Sequence, residues 1–328
     1  MQEIPYINLG IDRNNLKVVI SENYMNFAPE YMSFLGEWIT GTYKAFNDAD
    51  KYIILVYLFN KTVTFYYDNF IKISYDQFYN SKSFDIEKIN IVEIAKALGI
   101  PKETTRRKVA ELEQEGVIKK RGKHLIIDKT AFKLVEPINT MKNLTNVFYL
   151  IYKICKNKNI ISQDISKQKI TNEMKSNLTY TWYHYYKFIF TWLFNWKKFF
   201  NNDTEKFIIW CIPMLHRANK MSNDKLKSEI DISSWRSNIE KIETQGINTM
   251  SLSDITGIPR PTVTRKLKSL IQNNHLTMDK QKLIHPGSQG VYKSEMYNIQ
   301  NTALNEFSEF TAKVFNRVIF TDASLKTK

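Results

Sequence analysis

Two short windows carry arginine, lysine, glutamate and threonine at spacings that would array them along one exposed helix face. The first holds Lys102, Glu103, Thr104, Arg106 and Arg107, the second Arg260, Thr262, Thr264 and Arg265. The chemistry open to such a face is hydrogen bonding, not bond making: guanidinium and ammonium groups donate to phosphate oxygens and to acceptors on base edges. A basic helix face by itself is more often a solvated surface, so the flanking residues decide. Both windows follow the same phrase, Leu98-Gly99-Ile100-Pro101 and Thr256-Gly257-Ile258-Pro259, and Gly257 lies 158 positions after Gly99 in a chain of 328. One unit built twice is the expectation.

The elements that must hold the first window are legible from residue 90 onward. Asn90 can cap a helix whose apolar positions Ile91, Ile94, Ala95 and Leu98 recur at helical spacing, and Glu93 stands where a capping box needs it. Gly99 suits the left-handed position that stops a helix. Ile100 plugs the turn, Pro101 takes the first position of the next helix, where its missing N–H costs nothing, and Thr105, Val109 and Leu112 make the inward stripe. Gly116 ends that helix. Val117-Ile118, the basic turn Lys119-Lys120-Arg121-Gly122-Lys123 and the apolar run Leu125-Ile126-Ile127 then read as a hairpin. These are the parts of a winged helix-turn-helix, with small Ala95 at the helix crossing, and such a scaffold holds its second helix rigidly enough to enter a major groove.

The run IVEIAKALGIPKETTRRKVAELEQEGVI, from Ile91 to Ile118, resembles the winged helix-turn-helix of catabolite-activator-type and MarR-type bacterial regulators. The resemblance to the first of these implies that Arg107 contacts a guanine edge, Glu103 accepts from a cytosine amino group and Thr104 meets a phosphate. Thr105 departs from the Val or Ile usual at its position and predicts a weaker core contact. The second run, LSDITGIPRPTVTRKLKSL, resembles MarR-type and IclR-type regulators. There Ser251 is the expected cap, Leu252 and Ile255 the inward residues, and Val263, Leu267 and Leu270 the stripe. Leu276 to Ile284 is the expected wing, with Lys280 and Lys282 open to phosphate. Lys102, Glu103 and Arg106 face Arg260, Pro261 and Thr264 in the comparison, while Arg107 and Arg265 correspond, so unequal half-sites are expected.

The repetition extends upstream, with Asn47-Asp48-Ala49-Asp50-Lys51-Tyr52-Ile53-Ile54 against Asn202-Asp203-Thr204-Glu205-Lys206-Phe207-Ile208-Ile209. Helical segments Tyr31 to Phe46 and Thr181 to Phe200 precede these and share Trp38 and Trp192. Pro137 to Lys156 and Tyr292 to Phe320 read as helices after each wing, where MarR-type proteins place a dimerising helix. The fold class is therefore mainly α with small β-hairpin wings, as two winged helix-turn-helix units from internal duplication with extra flanking helices. The units fall at about 48–128 and 203–286, in halves 1–158 and 159–328 that meet near the polar stretch Lys156 to Gln168. The aromatics from Tyr180 to Trp196 are expected to be core more than ligand pocket. A short strand pair around Asp12 to Asn15 is expected within 7–20, and 62–84 and 221–245 carry no assignable periodicity.

Composition bounds the function. A net charge of +14 and a pI near 9.4 favour a polyanionic partner, although A/T-rich codon usage would also raise the lysine content. Cys155 and Cys211 stand apart without metal-ligand spacing, which fits a reducing cytoplasm. No signal-peptide pattern opens the chain. The most apolar stretch, 180–200, carries Lys187, Lys197 and Lys198 and does not suit a membrane. Five scattered histidines and the lack of a Gly-rich phosphate loop speak against an enzyme, and no cofactor is expected. The expectation is a cytoplasmic, sequence-specific transcription regulator whose partner is double-stranded DNA, with Lys120, Arg121, Lys123 and Lys280 on phosphate. The post-wing helices are compatible with a homodimer, and no known sensor pattern marks an effector. A plasmid-type replication initiator and a tandem winged-helix protein-interaction module are the rival classes; the outward arginines disfavour the second.

Overall fold

Long helices with aromatic inner faces organise the chain. The computed structural model describes residues 10–81, 83–86, 90–121, 124–128, 131, 136–223, 230–287, 290 and 292–326. The first half opens with α1 (Arg13–Glu22), a 3-10 turn (Tyr24–Asn26), α2 (Ala28–Lys44) and α3 (Ala49–Asp68). It continues through α4 (Tyr75–Tyr79), β1 (Ser83–Ile86), α5 (Ile91–Leu98), α6 (Lys102–Gln114), β2 (Ile118–Arg121), β3 (His124–Asp128) and α7 (Ile138–Asn157). The second half begins with α8 (Lys167–Ser176), α9 (Leu178–Phe199), α10 (Thr204–Asn223) and α11 (Ile232–Ile239). It ends with α12 (Thr249–Thr256), α13 (Arg260–Gln272), β4 (Leu276–Met278), β5 (Ile284–Pro286) and α14 (Lys293–Lys326). The first sheet is antiparallel in the order β1-β3-β2, with Ser83 opposite Asp128 and Ile118 opposite Ile127. In the second, β4 and β5 pair with Leu276 opposite Pro286, and Ile247 adds a single bridge to Ile284.

The halves interlock. α2 lies across α10 and α9 lies across α3, so each of these helices packs on the long helix of the other half, while α7 covers α2 and α14 covers α9. The sequence of α9 explains why it must be enclosed: Trp182, Tyr186, Phe188, Phe190 and Trp192 point several ways around the helix and all are buried. These residues are buried, as a core reading of the run expects. Trp38 of α2 meets Trp192 of α9 edge to face, with ring centroids 5.7 Å apart and planes at 85°, the arrangement that sets ring edges against a ring face.

Charges collect at the same seam. Asp48 and Asp203 sit at the N-termini of α3 and α10, accepting from the Lys51 and Lys206 N–H groups at 3.0 and 3.1 Å. Thr204 Oγ1 donates to Asp50 Oδ1 at 3.2 Å, joining the halves. Lys197, 1% exposed at the end of α9, donates from Nζ to the Leu98 carbonyl at 3.1 Å and so satisfies one of the acceptors left over where α5 ends. Burial pulls the Lys197 ammonium below the ordinary lysine range, while Asp50 and Asp203 hold it up. Burial likewise raises the Asp50 carboxyl, opposed by Lys197.

Several expectations are corrected. Residues 13–22 form a helix and not a strand pair, because Asp12 accepts from the Asn14 and Asn15 N–H groups and caps α1; residues 7–9 lie outside the described residues. α2 and α9 begin three residues earlier than expected, at Ala28 and Leu178. The unassigned 62–84 holds the end of α3, α4 and part of β1, and 221–245 holds α11, capped by Asp231 accepting from Ser234 N–H at 2.6 Å.

Lys197→Met leaves the Leu98 carbonyl without its donor and removes one of the positive charges that offset Asp50. Leaving a buried acceptor without its hydrogen bond costs about 1–3 kcal/mol, so urea unfolding is expected to show a loss of that size. Adding Asp50→Asn should recover part of it.

Candidate nucleic-acid interface

Gly99 joins α5 to α6 in the left-handed region, at φ 62° and ψ 31°. An added Cβ there would come within 2.9 Å of Asn202 Oδ1, so glycine answers both a backbone and a packing requirement. Gly257 repeats the turn between α12 and α13 at φ 77°, against Lys44. Each turn therefore rests on the other half, one beside the entry to α10 and the other at the end of α2.

The caps differ in detail from the sequence expectation. Asn90 accepts from Glu93 N–H at 2.8 Å, but the Glu93 carboxylate goes to Lys61 at 2.7 Å, so the capping box is half made. Pro101 and Pro259 are the N-cap residues of α6 and α13, one position earlier than expected. Asn248, and not Ser251, caps α12, accepting from Ser251 N–H at 2.8 Å. Thr256 turns inward in place of Ile255, which is 38% exposed. The hydroxyls buried in these stripes are satisfied locally: Thr105 donates to the Pro101 carbonyl at 3.2 Å and Thr256 to the Leu252 carbonyl at 2.6 Å.

An inward lysine clamps each second helix. Lys108 of α6 pairs with Asp48, and with Glu111 at 3.4 Å. Lys266 of α13 pairs with Asp203 at 2.5 Å and Glu205 at 3.2 Å. In both cases the helix is tied to the acidic start of its own long helix, α3 or α10. Lys51 extends the first clamp to Glu111 at 3.2 Å and Glu115 at 2.5 Å. Sequence reasoning passed over these lysines because they sit among solvated ones. Their position was the signal: each follows an inward residue, Thr105 or Val263, by three.

The opposite faces differ. On α6, Lys102, Glu103, Arg106 and Arg107 are exposed and Thr104 is half-buried. Glu103 pairs with Arg106 at 2.5 Å, and Arg107 lies 3.6 Å from Glu111. Exposed pairs like the first contribute about 0–1 kcal/mol, so they exchange readily for another partner. On α13, Arg260, Thr264 and Arg265 are exposed and Thr262 is half-buried. Thr264 Oγ1 donates to the Arg260 carbonyl at 2.9 Å and is spent on its own helix. Arg260, Thr264 and Arg265 line a shallow depression around Pro261 together with Lys268, which sequence reasoning did not single out. α6 carries four basic and three acidic residues, a net +1, whereas α13 carries four basic and no acidic ones, a net +4.

The wings are placed in part. Lys120 and Arg121 lie on β2 with side chains outside the described residues, and Lys123 lies outside them altogether. Lys119 pairs with Asp128 at 2.6 Å. In the second wing Asp279 accepts from the Gln281 and Leu283 N–H groups at 2.9 Å each and lies 3.0 Å from His285 Nε2. His285 and those backbone bonds hold the Asp279 carboxyl below its usual range. Lys280 and Lys282 project from this turn into solvent.

A family model described as winged helix-turn-helix DNA-binding matches residues 87–119, the span that contains α5, α6 and the first residues of β2. No curated protein and no solved structure matches. The first half thus carries a winged helix-turn-helix of the DNA-binding kind. Among the described residues, no helix is long and apolar enough to cross a membrane.

Glu111 makes the first clamp sensitive to acid. Burial pushes its carboxyl up, but the hydrogen bond from Lys51 and the charge of Lys108 outweigh that and hold it below its ordinary value of 4.5. A carboxylate with a depressed folded value contributes stability that is complete above the unfolded value and is lost as pH falls through the folded one. Thermal melts of Glu111→Gln are expected to fall less steeply than those of the parent between about pH 5 and 3. Profiles that differ only by a constant offset would remove Glu111 from the clamp.

Proposed function

We propose that this chain is a sequence-specific DNA-binding transcription regulator with two non-identical winged helix-turn-helix heads, one in 1–158 and one in 159–328, that arose by internal duplication. The clamp carries the proposal. Lys108 on Asp48 and Lys266 on Asp203 hold α6 and α13 in the same relation to α3 and α10, and both leave an arginine, Arg107 or Arg265, facing solvent. A support kept twice beneath reading faces that differ is what duplication followed by divergence leaves behind.

Within this reading Arg107 and Arg265 meet base edges, and Glu103 accepts from a cytosine amino group. Lys102, Thr104, Arg106, Lys120, Arg121, Lys123, Arg260, Thr262, Lys268 and Lys280 serve the phosphate backbone, which fixes register without reading sequence. The heads divide the work unequally. α13, with no acidic residue, supplies the larger part of the phosphate affinity, and α6, where Glu103 and Glu111 offset the arginines' charge, supplies the larger part of the discrimination. Two heads on one chain need no second copy to engage a two-part site.

Selection from random duplexes is the test. The expected product is an imperfect repeat with half-sites one helical turn, about 34 Å, apart; perfectly symmetric sites would contradict unequal heads. On the selected duplex, Arg107→Ala should lose about 1–3 kcal/mol against the preferred base and leave other sequences untouched. Joint replacement of Arg260 and Lys268 by Ala should lower the slope of log affinity against log salt by roughly two, the loss of two phosphate contacts. An intact chain without salt-sensitive DNA affinity would overturn the reading in favour of a protein-interaction module.

A further inference from the structure

Where the halves interlock, the core contains a cavity of about 110 Å³. Tyr31 of α2, Trp196 of α9, Trp210 of α10 and Trp235 of α11 line it, with Ala303 of α14 closing one side. Its polar wall includes the side chain of Gln300, whose Oε1 already accepts from Arg236 Nε at 2.9 Å. A cavity of ~150 Å³ with hydrocarbon walls stays dry and takes up benzene, so this slightly smaller one suits a single ring. Among the described residues no charged side chain lines it, and an ionised ligand would meet no compensating charge from them.

The position of the cavity gives occupancy a consequence. Pro213 lies inside α10, where its missing N–H removes a helical hydrogen bond and its ring crowds the preceding turn, the usual origin of a helix bend. Cys211, Met214 and Leu215, on either side of that proline, form part of the cavity wall. α10 grips the second head on both sides of the bend. Its first turn holds Lys266 through Asp203 and Glu205, and past the proline Leu215, His216 and Asn219 share a surface cleft with Asn248 and Ser251 at the start of α12. Leu215 also rests on α2, 3.1 Å from where a Cβ on Gly36 would stand. Met32 and Leu215 belong to both cavity and cleft, and an unbranched methionine with three rotatable bonds is a side chain that swings aside easily.

We infer that this cavity binds a neutral single-ring aromatic molecule, and that occupancy fixes the bend in α10 and so sets the angle of the second head to the first. The effect on DNA rests on the two-head proposal; ring binding and the bend do not.

Benzene and phenol serve as probes on the intact chain. Each is expected to change tryptophan emission saturably, because Trp192, Trp196, Trp210 and Trp235 all line the cavity. Amide exchange at 214–218 should slow about tenfold when benzene is present at ten times its Kd. Ala303→Leu and, separately, Ala218→Leu fill the space from facing helices and should abolish both responses while still unfolding cooperatively. No saturable emission change in the parent chain, or undiminished binding by a folded, cavity-filled variant, overturns the site. Binding that leaves exchange at 214–218 unaltered overturns the bend. With duplex DNA, saturating phenol should shift affinity about fivefold or more; equal affinity with and without it overturns the coupling. A chain that shows ring binding and slowed exchange but no salt-sensitive DNA affinity keeps the site and the bend and loses the two-head reading.

Discussion

The half-buried charges where α3 and α10 begin set the geometry that everything else uses. Asp48, Asp50, Asp203 and Glu205 crowd two helix N-termini, where the positive end of each helix favours acidic groups. Three lysines from elsewhere then converge on them: Lys108 and Lys266 from the two second helices, and Lys197 from the end of α9. These contacts are not the main source of stability. Fully burying one large apolar side chain contributes about 1.5–3 kcal/mol, and α2 and α9 bury many, whereas buried ion pairs give back most of their Coulomb energy as desolvation. What the charges supply is orientation. A hydrophobic stripe tolerates rotation of a helix by some degrees, but a lysine that must reach one carboxylate does not.

The interlock makes the two halves one mechanical body. α2 on α10 and α9 on α3 bury aromatic faces across the division of the chain, and both turn glycines lean on the other half through Asn202 and Lys44. A helix-turn-helix segment of either half that moved independently would have to break contacts belonging to both halves. The separation of α6 and α13 is therefore a property of the core, with Pro213 the place where α10 lacks a backbone donor. Such a body carries two exposed basic helices, α6 and α13, on one core and is free to make them different. The charge contrast between α6 and α13 is the visible difference.

What was legible in the sequence was local. Gly99 and Gly257 announce their turns because only a left-handed backbone explains a glycine between two amphipathic runs, and the stripes Thr105, Val109, Leu112 and Val263, Leu267, Leu270 are buried as their spacing requires. The exposed positions of Arg106, Arg107, Arg260 and Arg265 follow from the same periodicity. The rest depends on partners distant in the chain. Lys108 and Lys266 look like their solvated neighbours until α3 and α10 are packed beside them. Glu93 was expected to fold back on its own cap, but Lys61 of α3 offers a cation at 2.7 Å. Ile255 and Thr256 compete for one inward position, and the hydroxyl wins because Leu252 O and Ile258 N–H satisfy it there. The crossing of α2 and α9 onto opposite halves leaves no periodic trace, since periodicity records that a face is buried and not against what.

Protection of guanine N7 from methylation on a bound duplex tests the two-head geometry most directly, because it reports major-groove occupancy position by position. Two protected clusters about ten base pairs apart, with Arg107→Ala erasing protection in one and Arg265→Ala in the other, are the predicted outcome. A single cluster lost with either substitution, or protection unaffected by both, would contradict two arginine-bearing helices reading one site.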